Sequence, residues 1–215
     1  MKVNRQDMVL YGVTDRSWLG ESTLYQQVEQ ALKGGATFIQ LREKDLDEET
    51  FLQEALEIKD LCKTYHVPFV INDNVNIAKQ ADADGVHVGQ GDMEIADARE
   101  ILGADKIIGV SVKTVEQALL AQAKGADYLG VGAVFRTGTK KDATCISETM
   151  LRDICQAVSI PVVAIGGIST ENVMELSGSG IDGVAVVSAI FSCENIEEGT
   201  RRLKKQVEQL LKGKE

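Results

Sequence analysis

Gly125-Ala126-Asp127-Tyr128-Leu129, continuing as Gly130-Val131-Gly132, decides the fold: a glycine stands a few residues ahead of a run that is apolar without polar alternation. Such a run suits a strand buried on both faces, and the glycine suits a helix that ends in the left-handed conformation. The same order recurs at Gly35-Ala36-Thr37-Phe38-Ile39, Gly103-Ala104-Asp105-Lys106-Ile107 and Gly180-Ile181-Asp182-Gly183-Val184, with Asp82-Ala83-Asp84-Gly85-Val86 as a looser fifth copy. Repetition of a helix-to-strand connection points to a parallel sheet with helical crossovers.

Working outward from these copies, apolar runs predict strands over 9–14, 38–41, 69–72, 85–88, 107–112, 128–132, 162–165 and 183–187. Segments of helical period lie between them, such as Leu24, Val28, Ala31 and Leu32, or Phe51, Leu52, Ala55, Ile58, Leu61 and Cys62, each with a polar opposite face. Pro68 and Pro161 stand just before the third and seventh strands, where a missing N–H breaks no ladder. Eight βα units with no remainder for a second domain predict an α/β fold, a single (β/α)8 TIM barrel spanning 1–215 as one domain. At 215 residues the chain is short for this fold, whose usual size is about 250 residues, so its loops must be tight. The exception is the polar stretch 134–146, long for a βα loop and carrying Arg136, Lys140 and Lys141.

Composition narrows the function classes. A net charge of −10 argues against a broad nucleic-acid groove, so an anionic ligand must meet a local positive site. The longest apolar run, around 160–168, is interrupted by Pro161, Gly166 and Gly167 and falls short of a membrane span of about 20 residues. The start, Met1-Lys2-Val3-Asn4-Arg5-Gln6-Asp7, turns polar where a signal peptide turns apolar, which predicts a cytoplasmic address. Cys62, Cys145, Cys155 and Cys193 lie far apart without a C-x-x-C pair and read as reduced thiols. His66 and His87 are each isolated in the sequence and receive no chemical role.

A barrel of this kind places its site at the C-terminal ends of its strands. Those positions here hold Gln40-Leu41-Arg42-Glu43-Lys44, Asn72-Asp73, Gly89-Gln90-Gly91-Asp92, Ser111, Thr137-Gly138-Thr139-Lys140, Gly166-Gly167 and Ser188. Asp73 and Asp92, on neighbouring strand ends, offer the hard oxygen ligands that suit one Mg2+ while leaving room for water and phosphate oxygens. The competing reading makes each an N-cap, of helices starting near Asn74 and Met93. Arg42 and Lys44 share one face of an extended segment and can clamp a polyanion with a planar fork and a point charge, unless they are part of a solvated charge run. Gly166-Gly167-Ile168 with Ser188 matches the phosphate site that barrels often build after strands seven and eight.

Taken together and in order, Gln40 to Lys44, Asn72-Asp73, His87-Val88-Gly89-Gln90 with Asp92, Gly109-Val110-Ser111, Thr137 to Lys140, Gly166-Gly167-Ile168 and Val187-Ser188 resemble the thiamine-phosphate synthase family over nearly the whole chain. The resemblance implies that Gln40, Leu41, Arg42, Glu43, Lys44, Asn72, Ser111 and Lys140 bind hydroxymethylpyrimidine diphosphate, with Asp73 and Asp92 on Mg2+. It implies that Thr137, Gly138, Thr139, Gly167, Val187 and Ser188 bind the thiazole phosphate, and that Lys140, Arg42, Lys44 and Ser111 carry the catalytic part. One departure is Arg136, where the family usually has proline. The expected partners are these two small molecules, with no nucleic acid and no membrane; homo-oligomerisation is left open. A thiazole-phosphate tautomerase would need no diphosphate or metal site, a non-catalytic phosphate-binding barrel would turn nothing over, and a sugar-phosphate isomerase or lyase would need an acid and base pair.

Overall fold

The computed structural model describes residues 3–137 and 145–212. Among these, eight parallel strands close into a barrel in chain order, with β8 pairing back onto β1. The strands are β1 (Leu10–Val13), β2 (Phe38–Leu41), β3 (Phe69–Asn72), β4 (Gly85–Val88), β5 (Ile107–Val112), β6 (Tyr128–Gly132), β7 (Val162–Ile165) and β8 (Gly183–Val186). The helices are α1 (Leu24–Lys33), α2 (Glu48–Thr64), α3 (Val75–Gln80), α4 (Ile95–Leu102), α5 (Val115–Ala123), α6 (Glu148–Ala157), α7 (Ser188–Phe191) and α8 (Ile196–Lys212). The predicted first and last strands each shorten by one or two residues at their ends. The β7–β8 crossover differs from the other six: among the described residues it carries only a short 3-10 turn, Val173–Leu176. Ser169, Thr170, Asn172, Ser177 and Gly178 around it favour turns over a helix interior.

The repeat that pointed to the fold closes the barrel's N-terminal face. Gly35, Gly125 and Gly180 take φ of +99°, +91° and +90°, and Asp82 takes +49°, so positive φ is shared by glycine copies and the looser copy alike. Gly103 differs, pairing φ +94° with ψ 171°, which is an extended mirror conformation and not a left-handed one. After α1, α3 and α5 the chain makes the crossed hydrogen bonds of a Schellman motif, as in Gly125 N–H to Gln122 O and Ala126 N–H to Ala121 O, both 3.0 Å. Two residues past the positive-φ position, a polar side chain then accepts from the preceding strand's first amides. Asp84 takes the Phe69 N–H at 2.9 Å, Asp127 the Ile108 N–H at 2.8 Å, Asp182 the Val162 N–H at 2.9 Å, and Thr37 Oγ1 the Leu10 N–H at 2.9 Å. These groups end the sheet at the face opposite the site, where their hydrogen bonds serve stability.

Two apolar layers hold the barrel. Outward strand residues such as Ile39, Leu41, Ile71, Val86 and Leu129 pack against the helices, for instance against Phe51, Ala55, Ile58 and Cys62 of α2. Each such aliphatic side chain contributes on the order of 1.5–3 kcal/mol by leaving water. Burial pushes the Cys62 thiol up, in keeping with a packing role. Inside the barrel a separate cluster of Met8, Tyr11, Val13, Phe38, Val70, Ile107, Tyr128, Val163 and Ala185 fills the bottom and middle. Above it the inward positions turn polar, and there the cleft opens. Among the described residues, no helix is long and apolar enough to cross a membrane.

Candidate active site

The cleft at the C-terminal mouth has a volume of about 410 Å³, within the range of small-molecule sites. It is lined from β2 by Gln40 and Arg42, from β3 by Asn72, from β4 by His87 with Gly89 and Gln90, and from β5 by Ser111 with Lys113. Thr137, Gly166, Gly167, Val187 and Ser188 complete the opposite wall. Residues as far apart in sequence as Val13 and Ser188 thus meet because the barrel is closed.

Arg42 is held by Asp15, which accepts from its Nη1 at 2.9 Å, while the Arg42 amide donates to Thr14 Oγ1. Desolvation draws the Asp15 carboxyl upward, but hydrogen bonds from Ser17 and the Arg42 charge together outweigh it and keep it below the usual carboxylate range. Asp15 therefore stays ionised and orients the fork. Glu43 faces away from Arg42: its carboxyl takes Arg16 Nε at 2.7 Å, and Arg16 Nη2 reaches Glu54 at 2.6 Å. Burial first, then the neighbouring Glu54, pushes Glu43 up to about 7 in spite of Arg16. Leu41 is fully buried in the outer layer, so any ligand contact falls to its backbone. Lys44 is exposed and lines a second, more open cleft beside the first, with Glu43, Asn72 and Asp73. Asn72 belongs to both clefts and joins them.

The two aspartates do not act as helix caps. Asn74 caps α3, accepting from the Ile77 N–H at 2.9 Å, and the residue before α4 is Glu94, without a side-chain cap bond. Asp73 instead sits at φ +61°, an uncommon conformation for a residue with a Cβ, with its N–H on His87 O at 2.8 Å and its carboxylate receiving Asn72 Nδ2 at 2.7 Å. Asp92 folds back on its own loop, accepting from the Gly89 N–H at 2.7 Å. Asp73 lines the second cleft and Asp92 a small neighbouring depression, and Met93 borders both. Among the described residues no three His, Cys, Asp or Glu side chains gather as an all-protein metal cage. Two hard carboxylates at adjoining strand ends suit a small divalent cation that keeps water and substrate oxygens as its other ligands.

The far wall is made of backbone. Gly166 and Gly167 take φ of +100° and +66°, and a Cβ on Gly167 would lie 2.3 Å from Arg136 O. Asn172 locks this turn by donating from Nδ2 to Gly167 O at 2.9 Å while its Oδ1 receives the Ser169 N–H. Ser188 opens α7 directly after β8. Gly138, Thr139, Lys140 and Lys141 lie outside the described residues.

Of three further lining residues, the sequence reading missed Lys113, placed Gln90 at a strand end without a role, and set His87 aside. Lys113 follows Ser111 by two positions, so period-two alternation past the end of β5 is the signal that identifies it. Gln90 donates from Nε2 to Ser111 O at 2.9 Å, tying the β4 loop to β5. His87 is buried and hydrogen-bonded through both ring nitrogens, a role that no isolated histidine advertises.

A closed parallel barrel with cations, amides and carboxylates on one side of its mouth and a paired-glycine turn on the other is an enzyme scaffold for phosphorylated small molecules. Sequence comparison goes further: residues 10–190 match the thiamine monophosphate synthase (TMP-TENI) family, and the chain belongs to that family. It is 48% identical over 207 residues to a thiamine-phosphate synthase of Clostridium botulinum, covering 96% of this chain and 97% of that one. It is 50% identical over 197 residues to a thiamine-phosphate synthase of Ruminiclostridium cellulolyticum, covering 92% and 94%. Among solved structures, thiamine phosphate pyrophosphorylase from Pyrococcus furiosus superposes with a TM-score of 0.89 at 42% identity over 96% of this chain and 98% of that one.

Proposed function

We propose that this barrel, as one catalytic unit over its whole length, joins hydroxymethylpyrimidine diphosphate to a thiazole phosphate, giving thiamine phosphate and diphosphate. The observation that carries the reading is the cleft that gathers Gln40, Arg42, Asn72 and Ser111 against Gly167, Val187 and Ser188, two walls suited to two anionic substrates. Membership of the family supports the same conclusion.

Arg42, oriented by Asp15, and Lys44 take the diphosphate; Gln40, Asn72 and Ser111 take the pyrimidine; Gly167, Val187 and Ser188 with the Thr137–Thr139 stretch take the thiazole phosphate. Asp73 and Asp92 would hold one Mg2+, which when bound offsets the charge that gathers on the departing diphosphate. The aminopyrimidine releases electron density into its methylene carbon, so the C–O bond to diphosphate breaks before the new C–N bond forms. Arg42, Lys44 and Lys140 stabilise the leaving group at that moment. The thiazole nitrogen attacks with a lone pair and carries no proton, so this step needs no general base. Positioning supplies much of the rate, since two separately anchored substrates react at high effective concentration. A carboxylated thiazole would lose CO2 to complete aromatisation. The partners are these small molecules and the address is cytoplasmic.

Mass spectrometry of the products tests this reading. With both substrates and Mg2+, thiamine phosphate and diphosphate should appear in equal amounts, and chelation should abolish both. No thiamine phosphate under those conditions transfers the case to a tautomerase or a binding barrel; the presence of Lys44 and Asp73 in one cleft disfavours the former.

A further inference from the structure

A chain of hydrogen bonds crosses the inside of the barrel and ends on two residues of the cleft. Gln40 Nε2 donates to Tyr11 Oη at 2.5 Å, the Tyr11 and Tyr128 hydroxyls lie 2.7 Å apart, Tyr128 Oη is 2.9 Å from His87 Nδ1, and His87 Nε2 is 2.8 Å from Ser111 Oγ. The chain draws on β2, β1, β6, β4 and β5, and its middle is sealed: Tyr11 and Tyr128 are fully buried. The barrel wall is cut away to admit it. A Cβ on Gly109 would lie 2.3 Å from the Tyr128 hydroxyl, and one on Gly130 would lie 3.1 Å from the His87 ring. Neither glycine has positive φ, so the space each leaves is what the chain uses.

Counting hydrogens gives the chain a direction. Burial pushes both phenols up, so each keeps its one hydrogen. Tyr11 accepts from Gln40 and must donate to Tyr128; Tyr128 must then donate to His87 Nδ1. That nitrogen is thereby an acceptor, which leaves the hydrogen of a neutral imidazole on Nε2, donated to Ser111 Oγ. Ser111 accepts from below, and its own hydrogen is released toward the cleft it lines. At the other end Gln40 spends an N–H on Tyr11, which leaves its carbonyl oxygen for a ligand.

We infer that His87 is a positioning residue: the Gln40–Tyr11–Tyr128 chain fixes it as the Nε2–H tautomer, and through it presents Ser111 to the substrate as a hydrogen-bond donor while Gln40 is presented as an acceptor. The site thus sets the donor and acceptor pattern that a pyrimidine must match. The inference rests on the reading above for the identity of the substrate, but not for the sense of the chain.

Nitrogen chemical shifts of 15N-histidine in the ligand-free protein test the sense directly, with His66→Asn used to assign the second of the two histidines. His87 should show a protonated Nε2 and an unprotonated Nδ1 at neutral pH; a protonated Nδ1, alone or with Nε2, overturns the inference even if thiamine phosphate is made. In Tyr128→Phe the lock is removed and the single-tautomer signature should give way to a mixture. The same variant should lower kcat/KM for the pyrimidine diphosphate by about tenfold, the worth of one hydrogen bond, and leave KM for the thiazole phosphate unchanged. On a Ser111→Ala background it should cost little more, because the effect runs through Ser111. Equal losses on both backgrounds would mean a general packing defect and would sink the proposal. Should the variant fail to fold, the shifts of the unaltered chain still decide.

Discussion

The two walls of the cleft are built from different material. The β2–β4 wall is made of side chains: Arg42 braced by Asp15, Asn72 hydrogen-bonded to Asp73, and Lys44 in the adjoining cleft. The β7–β8 wall is made of backbone: two glycines at positive φ, locked by Asn172, and the first residues of a four-residue helix. A wall of charged side chains matches a diphosphate, whose charge grows as it departs. A wall of backbone matches a phosphate that is only an anchor, because amide dipoles hold it without a countercharge that must be neutralised when the ligand is absent. On the proposed reading, chemistry and anchoring are divided between the two sides.

The largest expected effect breaks the chemical side alone. Asp92→Ala or Asp73→Ala should lower kcat by about 100-fold or more at saturating Mg2+, exceeding the effect typical of groups that only orient a metal ligand. Rates measured over a series of Mg2+ concentrations check it; a variant with unchanged kcat and unchanged Mg2+ dependence removes that residue from the metal. Arg42→Ala should come next, raising KM for the pyrimidine diphosphate by about 10- to 100-fold, as expected for a lost charge-assisted contact, with KM for the thiazole phosphate unmoved. Arg42→Lys should recover only part, since a point charge cannot reproduce a fork.

Gly167→Ala is the mirror experiment on the backbone wall. A Cβ at φ +66° would press on Arg136 O and costs about 1–2 kcal/mol from the left-handed conformation alone. KM for the thiazole phosphate should rise by about tenfold and Tm should fall, while KM for the pyrimidine diphosphate holds. If both KM values move together in this variant and in Arg42→Ala, the two walls are not independent and the division fails.

That contrast also governs how much the sequence reveals. Strand β2, over Phe38–Leu41, and the barrel itself follow from an apolar run behind a glycine, because a strand buried on both faces leaves few alternatives. Arg42, Asp73 and Asp92 can be picked out by residue type. Gly167 can be found only as a glycine, and the turn it makes depends on Asn172, five residues on. The Gln40–Tyr11–Tyr128–His87–Ser111 chain is invisible until five strands close around it, since each member alone reads as an ordinary inward residue. The missing helix of the β7–β8 crossover is a weaker case: Ser169, Thr170 and Gly178 signal it, but a regular alternation of eight units hides the irregular one.

The smallest effect separates the walls by pH. On the side-chain wall Glu43 Oε1 and Glu54 Oε2 are both buried without another hydrogen-bond partner, an arrangement that one shared proton satisfies, and Glu43 is raised to about 7 by burial and by Glu54. A carboxyl raised in the folded state binds its proton more tightly there than in the unfolded chain. Its contribution to stability is therefore fully present below about 4.5, the ordinary value, and is lost as pH rises through about 7. Glu43→Gln keeps the shape and removes the titration, so the stability of this variant relative to the unaltered chain should rise across that window. Denaturant midpoints taken at intervals from pH 4.5 to 8 give the difference curve, which also cancels the opposite slope from Asp15, Asp47 and Asp82, whose carboxyls are held low. Gly166, Gly167, Val187 and Ser188 offer nothing that titrates, so Gly167→Ala should run parallel to the unaltered chain. A parallel curve for Glu43→Gln as well would mean that Arg16 alone satisfies both carboxylates, and that the side-chain wall holds no shared proton.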